Sequence, residues 1–539
     1  MAVDEAFGSV VAAALAGLAL SVVIERLIEP RPSWVRPWAA WALHAGLCLL
    51  AYAGVTLLLG RPWFATAAVS AVFLTLVLVN NAKFKALREP FVFQDYEYFT
   101  DAIRHPRLYI PFLGWGRFFA AVAGFVLAVA VGLWMEPVPG SRFAWSGQWG
   151  GIAAVLAVGA LLLMAGNRKR QAVSFEPLRD VRALGLLASL WRYAQEERAP
   201  VAAVSTLDAL PLQRPEGDLP HLVAVQSESF FDPRPLFAGI RPEVLAGFDR
   251  LKADAAAHGK LQVPAWGANT VRTEFAFLTG IDEDGLGVHR FNPYRAVARG
   301  WRVPSLASYL KRLGYRTVCI HPYPASFYQR DRVYPRLAFD EFLDIRAFDD
   351  TMRFGPYIGD TAVAEKVAAI LGEAAGPVFV FVITMENHGP LHLERVRPSD
   401  VDALYSVPPP DGCDDLTIYL RHLRNADRMI AKLRQTLERC ARPASLCWFG
   451  DHVPIMPSVY EMLGAPNGEV EYVIWRNPAG GPMRMQNVGA PSLAAVWLRM
   501  ALRGWGSDLP HSSRSSALAT ASRACATAGT SPGCQDTMT

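Results

Sequence analysis

The chain of 539 residues predicts an N-terminal bundle of five transmembrane helices followed by an α/β domain on a mainly parallel central sheet. Three observations carry that expectation. Five long apolar stretches fall before residue 170. After residue 220, short runs rich in β-branched and aromatic residues alternate with helical patterns, as βαβ units do. Four of those runs stop at polar, chemically capable residues: LVAVQ at Ser227-Glu228, YRTVCI at His321-Pro322, FVFVITM at Glu386-Asn387-His388 and LCWFG at Asp451-His452.

The apolar stretches are Phe7–Ile24, Trp38–Leu59, Trp63–Val79, Phe118–Met135 and Trp149–Ala165. Each has about the length needed to cross ~30 Å of hydrocarbon as a helix. None contains Asp, Glu, Lys or Arg, although His44 lies inside the second. Trp38, Trp63, Trp134 and Trp149 sit at the edges, where interfacial aromatics belong. The first stretch is no cleavable signal: Asp4 and Glu5 precede it and Arg26 follows it. A hydrophobic fraction of 52% and a mean hydropathy of +0.18 are high for a soluble protein, and the excess sits in this first third. The net charge of +4, without a dense basic face interleaved with aromatics, argues against nucleic acid as a partner. Lys and Arg gather after stretches one, three and five (Arg26, Arg31, Arg36; Lys83, Lys85, Arg88; Arg168, Lys169, Arg170). By the positive-inside rule alone, that bias would put the C-terminal domain in the cytoplasm.

Within the five-helix domain (1–170), residues 80–114 mix basic residues with Phe, Tyr and Leu and read as an interfacial segment near anionic headgroups. Residues 171–220 form a linker, with a helix around Leu184–Glu197 and then prolines. Residues 221–505 are the globular domain, with helices expected at Pro304–Leu313, Asp360–Leu371 and Leu420–Leu437 and Pro304 in the first turn of its own. Residues 506–539 have the Ser, Thr, Ala and Gly composition of a disordered tail. Seven cysteines show no CxxC spacing, so a structural zinc site is not expected. Cys440 with Cys447, or Cys525 with Cys534, are the pairs an oxidising compartment could join.

In open α/β sheets, ligands bind beyond the carboxyl ends of the strands. Four strand ends therefore bring Glu228, His321, Glu386, His388, Asp451 and His452 to one edge, which is a metal-site inventory. Asp451-His452, followed by Pro454, offers a carboxylate and an imidazole to a hard or borderline divalent cation. Alone, such a pair reads as a surface turn; Glu228 supplies the further oxygen that changes this. In WGANTVRTEFAFLTG, Gly267 to Asn269 form a turn, and Val271, Phe275 and Leu278 recur at helical spacing. Thr270 is thus at a helix N-terminus. Taken alone it is an N-cap. In context, that terminus offers N–H groups and a positive dipole end to a phosphate, and a metal ion lowers the pKa of a hydroxyl bound to it.

The order Glu228, Gly267-x-x-Thr270-x-x-x-Glu274-Phe275, His321, Phe327-Tyr328-x-Arg330-Asp331, Asn387-His388, Gly450-Asp451-His452 resembles the lipoteichoic acid synthase family. That family lies in the alkaline phosphatase/sulfatase superfamily and places five transmembrane helices before an extracytoplasmic catalytic domain. The likeness covers nearly the whole chain except the tail. It implies that Glu228, Thr270, Asp451 and His452 bind one divalent metal ion, manganese foremost, with zinc or magnesium as alternatives. Thr270 is then the nucleophile, and His321, Tyr328, Arg330 and His388 hold the substrate phosphate. Arg330 is expected to present its guanidinium fork to two phosphoryl oxygens and to be dispensable for folding. Tyr328 stands where a Trp is usual in the Gram-positive enzymes. Tyr323 departs more sharply, since an acidic or polar residue is usual there.

The resemblance implies a membrane-bound transferase that moves phosphoglycerol from phosphatidylglycerol to a cell-envelope glycan or glycolipid, through a threonine-bound intermediate. A phosphoethanolamine transferase or a phosphodiesterase is the alternative. A true sulfatase is disfavoured, because no Cys-x-Pro-x-Arg run occurs. The implied place is the inner membrane, multi-pass, with the catalytic domain periplasmic. This opposes the basic-loop bias, which contact with anionic lipid would explain.

Overall fold

The computed structural model describes residues 2–96, 115–136, 142–199, 201, 203–211, 217–478 and 482–502. Its first third is helical: α1 (Ala2–Glu25), α2 (Trp38–Leu59), α3 (Pro62–Leu87), α4 (Trp115–Met135) and α5 (Arg142–Arg168). Among the described residues four helices, α1, α2, α3 and α5, are long and apolar enough to cross a membrane. In α4 the qualifying apolar part is the shorter Ala123–Met135. Val10, Ala13 and Ala14 pack on Leu49, Tyr52, Ala53, Ile152 and Val155. Small residues let these helices approach closely: a Cβ on Gly46 would sit 2.8 Å from the Leu163 backbone nitrogen.

The membrane-proximal layer is polar and paired. Glu25 meets Arg36 at 2.6 Å, and both are buried. The single helix expected around Leu184–Glu197 is two, Pro177–Leu184 and Leu186–Glu196, hinged at Gly185. Gly185 has φ +85, and any Cβ there would collide with Arg36 and Glu25. Glycine is therefore what allows the linker to close over that ion pair. The described part of the 80–114 segment continues α3 to Leu87 and then packs on the C-terminal domain; residues 97–114 lie outside the described residues.

The strands are β1 (His221–Ser227), β2 (Ala257–Gln262), β3 (Arg316–Ile320), β4 (Glu341–Leu343), β5 (Arg353–Phe354), β6 (Tyr357–Ile358), β7 (Val378–Ile383), β8 (Ala444–Gly450), β9 (Val470–Asn477), β10 (Arg484–Met485) and β11 (Val488–Gly489). The main sheet runs β10-β2-β9-β8-β1-β7-β3-β4, with β11 on β2. From β8 through β1, β7 and β3 to β4 it is parallel. The sheet is mainly parallel, as expected, with β9 running antiparallel to both β8 and β2. The four strands expected from the sequence are the adjacent central ones, and β1, β7 and β8 are buried along their whole length. That accounts for their unbroken apolar composition.

Register then levels the strand ends. Ser227 lies opposite Gly450, and Gln226 opposite Ile383. The helix Thr270–Thr279, wholly buried, lies against this centre, with Phe277 ringed by Phe449 at 4.6 Å and Phe381 at 5.7 Å. The helix expected from Pro304 begins at Leu306, because Ser305 is the N-cap and accepts from Ser308 N at 3.0 Å; Pro304 therefore precedes it. The other two run Asp360–Gly372 and Asp414–Arg439. Cys440 and Cys447 are both free thiols, while Cys525, Cys534 and the expected tail lie outside the described residues.

Candidate active site

Beyond β1 and β8 the chain turns sharply and presents three ligand-capable groups. Glu228, Asp451 and His452 place one carboxylate or ring atom each within 4.8 Å of one another, all buried. His452 Nε2 lies 3.3 Å from Asp451 Oδ2, 3.6 Å from Glu228 Oε1 and 3.5 Å from Thr270 Oγ1. Donating Nδ1–H to Val453 O at 3.1 Å leaves the Nε2 lone pair toward the other three groups. Asp451 Oδ1 accepts from the backbone N–H of Ser229 (2.8 Å) and His452 (2.9 Å). Asp451 Oδ2 is buried and has no hydrogen-bond partner. Burial, and then Asp451 beside it, push the Glu228 carboxyl up to about 8. Two buried carboxylates, an orphaned oxygen and an imidazole lone pair fit a divalent cation and little else.

Thr270 is the first residue of its helix, and Asn269, in the left-handed region at φ 65, is the N-cap. The Thr270 hydroxyl is therefore not used for capping. Thr273, one turn on, donates Oγ1–H to Asp451 O at 2.7 Å and ties this helix to the end of β8. Ser229 at φ 52 and Tyr328 at φ 55 are also left-handed without being glycine. Such conformations are costly and cluster where a site demands them. Ser229, whose Oγ donates to Glu228 Oε1 at 2.9 Å, was not evident from the sequence.

The other half of the cleft is organised differently. Arg330, only 1% exposed, directs Nε (3.1 Å) and Nη2 (2.7 Å) to the two oxygens of Glu274. Tyr294 and Tyr334 donate to the same carboxylate at 2.5 and 2.6 Å. The guanidinium fork expected for a phosphate is thus engaged by the protein itself. Arg330 Nη1 points to His321 Nε2 at 3.1 Å, and His321 Nδ1 lies 3.2 Å from Ile383 O. Burial and then Arg330 hold His321 well below the usual imidazole range. Tyr328 lies over Arg330, its ring centroid 5.3 Å from the guanidinium carbon. His388 Nδ1 is 2.7 Å from Gly389 O, leaving Nε2 for other work, and burial lowers its pKa.

Glu386, expected at the metal edge, turns away from it. Its carboxylate accepts from Asn425 Nδ2 (2.6 Å) and Asp360 N (2.7 Å) and meets His422 Nδ1 at 3.1 Å. Tyr323 joins an aromatic wall instead of a polar one, 5.2 Å from Phe327 and 6.4 Å from Tyr357 between ring centroids.

The chain belongs to the sulfatase family, whose pattern matches residues 220–501, and so to the superfamily that the lipoteichoic acid synthase resemblance indicated. In sequence it is similar to the capsular polysaccharide biosynthesis protein RkpI of Rhizobium meliloti (strain 1021), 29% identical over 453 residues, which cover 79% of each chain. A protein of the same bacterium named for cyclic beta-1,2-glucan modification is 25% identical over 299 residues, 52% of this chain and 46% of that one. In fold it is similar to the integral membrane lipooligosaccharide phosphoethanolamine transferase A of Neisseria meningitidis. The TM-score is 0.52 at 14% identity, over 87% of this chain and 88% of that one. With four such apolar helices among its described residues, the chain is a multi-pass membrane protein carrying a sulfatase-type domain.

Proposed function

We propose that this protein transfers a phosphoglycerol headgroup from phosphatidylglycerol to a cell-envelope glycan or glycolipid, with Thr270 as the nucleophile. The single observation that carries the reading is the Thr270 hydroxyl 3.5 Å from His452 Nε2, inside the cluster of Glu228, Asp451 and His452. Those four residues would hold one divalent cation, manganese before zinc or magnesium. When bound, it would favour ionisation of the Thr270 hydroxyl and draw charge from a phosphoryl oxygen.

The protein's own groups do the rest. The Thr270–Thr279 helix turns its N-terminal N–H groups and positive dipole end to the phosphate. Thr270 Oγ gives up its proton and forms a bond to phosphorus as the bond to the diacylglycerol oxygen breaks, with His388 passing that proton to the leaving oxygen; the acceptor oxygen then displaces Thr270, whose oxygen regains a proton. His388, kept neutral by burial, takes the acceptor's proton at Nε2. His321 is placed to hold rather than to shuttle protons, since both its nitrogens are engaged. Arg330, whose nitrogens face Glu274 and His321, would act on the donor phosphate by fixing His321 beside it, and Tyr328 walls the cleft. The names of the two sequence relatives, capsular polysaccharide and glucan, support a glycan acceptor.

Tyr323 favours one second reading, phosphoethanolamine transfer. Tyr323, Phe327, Tyr328 and Tyr357 form an aromatic wall, and an ammonium group gains from such faces. Incubation with both lipids and no acceptor, followed by peptide mass spectrometry, separates the readings. A glycerophosphate adduct on the Thr270 peptide is expected. A phosphoethanolamine adduct would select the second reading, and normal transfer by Thr270→Ala would sink both.

The proposal includes α4 as a fifth crossing, the division 1–170, 171–220, 221–505 and 506–539, and a catalytic domain outside the cytoplasm. Part of the basic bias that argued otherwise is spent inside the protein, while Lys85, Arg168, Lys169 and Arg170 stay exposed and would meet anionic lipid. Arg36 pairs with Glu25, Lys83 with Glu89 and Asp95, and Arg88 lies over Trp266. A phosphatase reporter fused after Leu502 should be active; an inactive reporter would return the domain to the cytoplasm.

A further inference from the structure

The end of α3 grips the turn that carries Thr270 from both sides. Upstream, Gly267 leaves no room for a side chain, since a Cβ would lie 2.9 Å from Ile455 and 3.3 Å from Leu87, in the last turn of α3. The Arg88 guanidinium stacks on the next residue back, 3.7 Å above the Trp266 ring. Downstream, Arg272 sets Nη1 and Nη2 on the two oxygens of Glu89, at 2.7 and 2.9 Å. Lys83 ties Glu89 (2.8 Å) to Asp95 (2.6 Å) and closes the network onto α3 itself.

Arg272 is two residues from Thr270, so it projects from the helix about 200° away, out of the cleft. Its side chain is 5% exposed, and that of Glu89 is 18% exposed. A desolvated bidentate pair fixes distance and angle, which an apolar contact does not. The path from a membrane helix to the proposed nucleophile is therefore short and stiff: α3, Glu89, Arg272, Thr270. A phosphodiester anchored by acyl chains presents its phosphorus at one depth, whereas a dissolved one can reach the site at any height.

We propose that the Glu89–Arg272 pair is a positioning device that sets the height of Thr270 over the bilayer and so tunes the site to membrane-anchored phosphodiesters. This rests on the reading of Thr270 as nucleophile to a lipid donor. The test uses full-length protein in vesicles containing phosphatidylglycerol and phosphatidylethanolamine, and bis(4-nitrophenyl) phosphate as a dissolved substrate. Glu89→Gln keeps the shape and removes the charge. It should lower lipid turnover about tenfold, while the dissolved diester changes by less than about twofold, because small misplacements cost this much. Exchanging the partners, Glu89→Arg with Arg272→Glu, should recover part of the lipid turnover. Equal losses on lipid and dissolved substrate, or no loss on either, would overturn the positioning role while leaving the proposed reaction intact. Wild type that cleaves the dissolved diester but neither lipid would overturn the lipid-donor reading, and this inference with it.

Discussion

The two halves of the cleft answer the same problem, buried charge, in opposite ways. Around Glu228 and Asp451 the acids outnumber the bases, and one carboxylate oxygen is left without a partner. Around Arg330 a single carboxylate, Glu274, collects the guanidinium and two tyrosine hydroxyls. The first half is incomplete without a cation from outside. The second is complete before substrate arrives, so it holds a shape rather than waiting for charge. A residue at a strand end is a ligand only if its neighbours leave it unsatisfied.

Breaking the two halves should therefore give opposite phenotypes, and the largest effect on stability belongs to the second. Glu274→Gln leaves Arg330 buried with its counter-charge removed, a change that typically costs ~3–5 kcal/mol. A large fall in melting temperature is expected, with metal content unaffected in whatever folds. Asp451→Asn removes one of two mutually repelling carboxylates, so metal-free protein should be no less stable while metal binding and transfer are lost. Measuring melting temperature and metal stoichiometry on both variants decides it. A stable Glu274→Gln protein, or Asp451→Asn with full metal content, would show that the halves are not divided in this way. If Glu274→Gln melts early, Arg330 is a residue the fold depends on, against its expected dispensability, because its fork is bound to Glu274.

The same contrast explains what could be read without the structure. The strands that position the site were legible because a strand buried on both faces must be apolar throughout, and the polar residue that ends it marks the edge. Thr270, Asp451 and His452 followed from that edge and from helical spacing. Glu274 lay inside the quoted motif, but its partner is 56 positions away at Arg330. The available signal was chemical: a Glu within the buried run VRTEFAFL demands a cation. Ser229 and the second half of the sheet gave no comparable signal: β9 is buried from Val470 to Trp475 but has Glu471 inside its run, and β2 is short and largely polar. Glu386 shows the limit of the edge argument. A strand end places a residue at the right level without determining which way it turns.

Glu386 also supplies the smallest test, because it completes a satisfied cluster of its own. His422 stands between Glu386 (3.1 Å) and Glu394 (2.7 Å) with its ring buried. Burial lowers its pKa, but the two carboxylates outweigh this and hold it up at about 9. A histidine whose folded pKa exceeds its unfolded value of 6.5 stabilises fully below that value and loses the contribution as pH rises. The window is therefore from about 6.5 to about 9, and each pKa unit corresponds to ~1.4 kcal/mol, so the ceiling is about 3 kcal/mol. Thermal unfolding of the full chain across that window should show a decline in wild type that is blunted in His422→Gln. Subtracting the two profiles removes the contribution of the metal cluster, which both proteins share. Parallel profiles would mean that His422 is neutral between its carboxylates, and that this end of β7 is held by hydrogen bonds from Asn425 and Asp360 alone.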